Sequence, residues 1–132
     1  MGRDLAPPLG RAYAEAMAVS PASAAATLRA QGLRKAEVAA ARAARLSALL
    51  PDAAAILREL GATHVWAFGS LVHGDPHEES DVDLATTGLS GGAFVTGLGR
   101  LSLLFPADVD LVRLESAAES FAARVQTEGR AL

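Results

Sequence analysis

Two aspartates two residues apart, in the stretch Ser80-Asp81-Val82-Asp83-Leu84, are the side chains best suited to chemistry in this 132-residue sequence. On a strand, residues two apart project from the same face. Two carboxylates turned into one pocket repel each other, and a cation between them removes that penalty. Oxygen donors without Cys or His favour Mg²⁺ or Mn²⁺ over zinc. Upstream, the apolar run Val65 to Phe68 ends in Gly69-Ser70. Glycine lets a backbone approach a phosphate closely, and the Ser70 hydroxyl adds a hydrogen-bond donor. Downstream, Ala107-Asp108-Val109-Asp110-Leu111-Val112-Arg113 alternates like a strand and offers Asp108 or Asp110 as a third carboxylate. Three such groups suit two metal ions that clamp an in-line phosphoryl displacement.

The succession of strand, Gly69-Ser70, Ser80-Asp81-Val82-Asp83-Leu84 and Val109-Asp110-Leu111-Val112 resembles the signature of the DNA polymerase β-like nucleotidyltransferase superfamily. The short chain points to its minimal nucleotidyltransferases, and the resemblance runs from about Leu49 onward. It implies an α/β (α+β) fold, a small mixed sheet with helices packed on one side. It places the third carboxylate at Asp110. Asp81, Asp83 and Asp110 are then the catalytic and metal-ligating residues for a Mg²⁺ pair. Gly69, Ser70 and His73 are the residues that bind ATP, the nucleotide substrate. Family members commonly place arginine directly after the Gly-Ser and again two residues later, where this chain has Leu71 and His73. Its cationic hold on a triphosphate is weaker unless the phosphate protonates His73. Glu78 and Glu79 add negative charge beside the site, and His77 is expected at the loop surface. Arg113 and Arg124 are alternative phosphate contacts.

The resemblance further implies a partner, a helical HEPN-domain ribonuclease toxin. AMP would pass from ATP to one of its tyrosines, with this chain as the antitoxin. Two other readings stay open. One is a non-catalytic antitoxin of the same fold that neutralises by docking; the other is a nucleotidyltransferase acting on a small molecule or RNA.

Composition narrows the setting. Residues 1–50 carry seven basic against three acidic side chains, and residues 51–132 carry five against twelve. An acidic half suits divalent cations and argues against a nucleic-acid groove there. The basic N-terminal helices keep nucleic-acid contact open, although cations scattered along amphipathic helices usually form a solvated face. With no cysteine, a reducing cytoplasm is expected. No run reaches the roughly 18 apolar residues of a membrane span. Apolar residues make up 51% but aromatics only 5%. A core of such small side chains is expected to lean on a partner or a second copy, so an oligomer is expected.

The elements follow from breakers and periodicity. Residues 1–50 form an N-terminal helical segment, and residues 51–132 the nucleotidyltransferase domain. Residues 1–9 form a loose leader, Arg11 to Val19 a short helix, and Ser20-Pro21 opens a second that should stop at Gly32. A third spans Arg34 to Leu50, and the turn between them invites a helix-turn-helix comparison, with packing the preferred role. Pro51 opens a helix that Gly61 ends. Strands follow over Thr63–Phe68, Val82–Thr86 and Ala107–Arg113. A short helix follows Gly69, a longer one spans Ala93 to Leu104, and a last one, capped by Ser116 with Glu119, ends at Gly129.

Overall fold

The structure is a computed structural model that describes residues 21–74 and 81–132. The chain divides into two compact units, residues 1–35 and 36–132. The leader, the Arg11–Val19 helix, the Ser20 cap and the loop holding His77, Glu78 and Glu79 lie outside the described residues.

Helix α1 spans Pro21–Ala48 without interruption. The expected stop at Gly32 is absent, and with it the turn of a helix-turn-helix. Gly32 is not among the glycines of positive φ. A helical glycine costs about 1 kcal/mol relative to alanine, and the Ala, Leu, Arg and Lys residues around Gly32 are strong helix formers that outweigh it. The break comes at Leu49 instead, where Pro51 sits in the first turn of α2, Leu50–Glu59.

Residues 36–132 form a four-stranded sheet in the order β3-β2-β1-β4. Its strands are β1 (His64–Phe68), β2 (Val82–Thr87), β3 (Val109–Arg113) and β4 (Arg130–Ala131). β2 runs antiparallel to β1 and parallel to β3, so the sheet is mixed. β1 and β2 are linked through the short helix α3, Ser70–His73, and β2 and β3 through α4, Gly91–Leu104. Ser90 caps α4 by accepting from the Ala93 N–H at 3.2 Å.

Alternation along the strands sorts the side chains into two layers. Val65 and Ala67 of β1, Val82 and Leu84 of β2 and Leu111 of β3 join Leu50, Leu57 and Leu101 in the main core. Helices α2 and α4 thus cover one face. Trp66, Phe68, Ala85 and Val112 project from the other, where α5 (Glu119–Glu128) lays Val125, Phe121 and Ala122 over them. At the end of that second face Asp81 and Asp110 are exposed and Asp83 is half-buried.

The C-terminal elements differ in detail from expectation. Ser116 belongs to a 3₁₀ turn, Leu114–Ser116, and α5 starts beyond it with Ala118 at the N-cap and no side-chain cap. After Gly129 the chain forms β4, which pairs with β1 through Trp66↔Ala131 and Ala67↔Arg130. Among the described residues, no helix is long and apolar enough to cross a membrane.

Glu115 ties the 3₁₀ turn to the sheet by accepting from the Gly88 N–H at 2.6 Å. That bond, then one from its own N–H, holds the Glu115 carboxyl below the ordinary range, with Arg113 adding to the effect and burial opposing it. A lowered folded pKa means the stabilisation is present above the unfolded pKa and lost as pH falls through the folded one. Glu115→Gln should therefore cost under about 1 kcal/mol at neutral pH, as expected of an exposed contact. Melting curves of the two proteins should converge as the pH is lowered past the carboxylate range.

Candidate active site

The antiparallel and parallel pairings bring three motifs to one end of the sheet. β1 ends at Phe68, whose register partner is Asp83 near the start of β2. Asp83 is in turn the register partner of Asp110 on β3. Register partners share a face and stand one strand spacing apart, about 4.8 Å along the backbone. Asp81 lies just before β2 and is exposed, as is Asp110, whereas Asp83 between them is half-buried.

This crowding has an electrostatic signature. The Asp83 carboxyl is raised above its ordinary range, first by burial and then by the charges of Asp110 and Asp81. Asp83 thus lies within electrostatic reach of both other carboxylates. Among the described residues no three acidic or metal-binding side chains close into a finished cage. Asp108, the other candidate from sequence, is exposed, and its carbonyl accepts from the Val82 N–H at 3.0 Å.

Gly69 joins the phosphate-binding candidates to the acidic ones. Its φ of 77° lies in the region that favours glycine. A Cβ placed there would collide with Asp83 Oδ2. The Asp83 carboxylate thus lies directly against the Gly69-Ser70 backbone, an approach that only a missing side chain permits. Gly69→Ala should cost about 1–3 kcal/mol through backbone strain. It should also swing Asp83 out of line, so any divalent-cation affinity should fall by more than the stability loss explains. Calorimetric titration with Mg²⁺ beside a melting curve separates the two effects.

Ser70 begins α3 half-buried, and its hydroxyl has no hydrogen-bond partner among the described residues. Leu71 and Val72 pack against the main core. His73 is exposed, and with Gly69 it borders a cleft of about 340 Å³ against α5 that Arg124 also lines. Arg113 is not part of this group: alternation on β3 sends it, like Leu111, to the face opposite Asp110.

Residues 54–132 match the family described as polymerase beta, nucleotidyltransferase. No curated protein matches the sequence. Among solved structures, a chain of a toxin–antitoxin with AMP-PNP is 31% identical, with 58% of this chain and 65% of that one covered at a TM-score of 0.51. A candidate minimal nucleotidyltransferase is 28% identical, with 66% and 95% covered at 0.56. A third structure, a tri-AMPylated Shewanella oneidensis HEPN toxin with its MNT antitoxin, is 28% identical, with 58% and 61% covered at 0.45. This chain spans 65% of the toxin–antitoxin chain it matches. The family match covers more than half of the sequence and includes Gly69, Asp81, Asp83 and Asp110. The chain belongs to the polymerase beta nucleotidyltransferase family.

Proposed function

We propose that this chain transfers AMP from ATP to a hydroxyl, a tyrosine of a helical HEPN-domain ribonuclease toxin, and so acts as its antitoxin. The observation that carries the reading is the contact of Asp83 with Gly69, which supports taking the paired carboxylates and the Gly-Ser turn as one site. The likeness to a toxin–antitoxin chain solved with AMP-PNP supports the nucleotide and the partner.

The donor set suits a hard divalent cation: Asp83 and Asp110 are paired, Asp81 is within electrostatic reach, and the donors are all carboxylate oxygen. Asp81, Asp83 and Asp110 would hold Mg²⁺, which when bound neutralises their repulsion and polarises phosphate oxygens. Ser70 donates to the outer phosphates, and Gly69 leaves room for them. His73 adds a polar contact beside the turn. The acceptor oxygen bonds to the α-phosphorus, the bond to the β-bridging oxygen breaks, and pyrophosphate departs while the hydroxyl proton passes to water. Residues 51–132 are the catalytic domain in this reading.

Incubating the protein with α-labelled ATP, Mg²⁺ and the product of the neighbouring gene tests the reading. Label should appear on the partner and vanish with Asp81→Asn plus Asp83→Asn. A second reading, neutralisation by docking alone, is favoured by Leu71, which packs into the core and offers no charge to a phosphate. Full neutralisation of the partner by the same double variant would select it.

A further inference from the structure

We infer that Arg124, on the C-terminal helix α5, is the cation that holds the polyphosphate tail of the nucleotide, so that α5 completes the site from outside the Gly-Ser turn. This rests on the nucleotide-binding reading above and adds a residue to it. The chain's acidic half offers few cations for a substrate with three phosphates. Arg58 is committed to the carbonyl oxygen of Leu132, and Arg100 to Glu59 at 3.3 Å. Arg113, and Arg130 as the register partner of Ala67, project from the other face of the sheet. Arg124 differs on each count. It lines the cleft that opens beside Gly69 and His73. It is the one permanently cationic side chain of that lining. Among the described residues it has no ion pair or hydrogen bond.

The helix carries it there by periodicity. Phe121, Arg124, Val125 and Glu128 stand at i, i+3, i+4 and i+7 and so share one face of α5. Phe121 and Val125 anchor that face against the sheet, Phe121 edge-on to Phe68 with ring centroids 5.6 Å apart. Phe68 is the register partner of Asp83, so the cleft and the carboxylates occupy one face and meet at Gly69. A nucleotide with its α-phosphate at Asp83 can extend its outer phosphates across Gly69 toward Arg124. A guanidinium matches phosphate oxygens in pairs and stays charged at every relevant pH. Glu128, on the same cleft wall, opposes an anion and tempers the affinity.

The experiment measures binding of ATP, ADP and AMP to the full chain with Mg²⁺, for wild type, Arg124→Ala, Arg124→Lys and Glu128→Gln. Arg124→Ala should weaken ATP and ADP at least tenfold and AMP little, with an unchanged melting temperature. Arg124→Lys should recover part of the loss, and Glu128→Gln should tighten ATP. In transfer assays the Arg124→Ala defect should fall on KM, with kcat within about threefold of wild type. Equal weakening of all three nucleotides, or none, overturns the inference. Wild type that transfers AMP while Arg124→Ala matches it in KM overturns this inference alone. Arg124-dependent ATP binding without any transfer supports the inference and overturns the enzymatic reading.

Discussion

Replacing Asp83 with Asn should abolish AMP transfer and, at the same time, raise the stability of the cation-free protein. The first effect follows from its place. Asp83 is the central carboxylate, in register with Asp110 and pressed against Gly69, so no neighbour can take over its position. If Asp83 holds Mg²⁺ as proposed, losing that ligand should lower kcat by at least about 10³-fold, roughly 4 kcal/mol at 1.36 kcal/mol per decade. The second effect follows from charge. Burial and then the Asp110 and Asp81 charges raise the Asp83 carboxyl above its ordinary range. A carboxyl with a raised folded pKa is penalised in its charged form, so it destabilises the fold above that pKa and ceases to do so on acidification toward the unfolded value. Asn has nearly the same shape without the charge. The variant should therefore melt higher than wild type near neutral pH with chelator present, and the gap should close on acidification. Adding Mg²⁺ should raise the wild-type melting temperature and leave the variant's nearly unmoved, because a ligand that binds the native state stabilises it by mass action. The pH trend is opposite to that of Glu115, whose lowered carboxyl stabilises at neutral pH.

The largest stability effect is expected at Leu57. It is 0% exposed and packs in the main core. A Cβ added at Gly97 of α4 would meet Leu57 Cδ2 at 3.0 Å and Leu60 Cδ1 at 3.4 Å, so α2 and α4 are in close contact there. Truncating Leu57 to Ala removes buried methyl groups and leaves a cavity between two helices that cannot collapse without shifting both. Such changes cost about 2–5 kcal/mol, against a total of about 5–15 kcal/mol for a domain. Urea unfolding should show the midpoint falling by a large fraction. The site end of the sheet should lose Mg²⁺ and nucleotide binding only where the variant unfolds, since Leu57 lies on the face away from Asp83.

That packing explains what the sequence concealed. By propensity alone Gly97 weakens a helix, yet it is buried and admits Leu57. Gly32 reads as a stop, yet the helix formers on both sides carry α1 through it. Breaker residues are ambiguous because tertiary contact decides whether a glycine ends an element or lets another one approach. The three long strands were legible because Val65, Ala67, Val82, Leu84 and Leu111 recur with period two and bury one face. β4 was not, since two residues carry no periodicity and form a strand only by pairing with β1.

At the site, the Asp81 and Asp83 pair stood out because type and spacing alone imply a shared face. The in-register pairing of Asp83 with Asp110 and the contact of Asp83 with Gly69 are matters of topology, beyond any reading of spacing. In the sequence Arg124 stands beside Arg113 as an alternative phosphate contact, and spacing alone does not choose between them. Its signal, the i, i+3, i+4, i+7 face shared with Phe121, Val125 and Glu128, acquires meaning once α5 is seen beside Gly69.

The central claim is that the paired carboxylates and the Gly-Ser turn form one nucleotidyl-transfer site. It is tested most directly by offering the wild-type protein and its partner ATP labelled in turn at the α- and γ-phosphates, with Mg²⁺. The account predicts that α-label becomes covalently attached to a partner tyrosine, that γ-label is released as pyrophosphate, and that Asp83→Asn abolishes both. Attachment of γ-label, or attachment of α-label undiminished in Asp83→Asn, would contradict it.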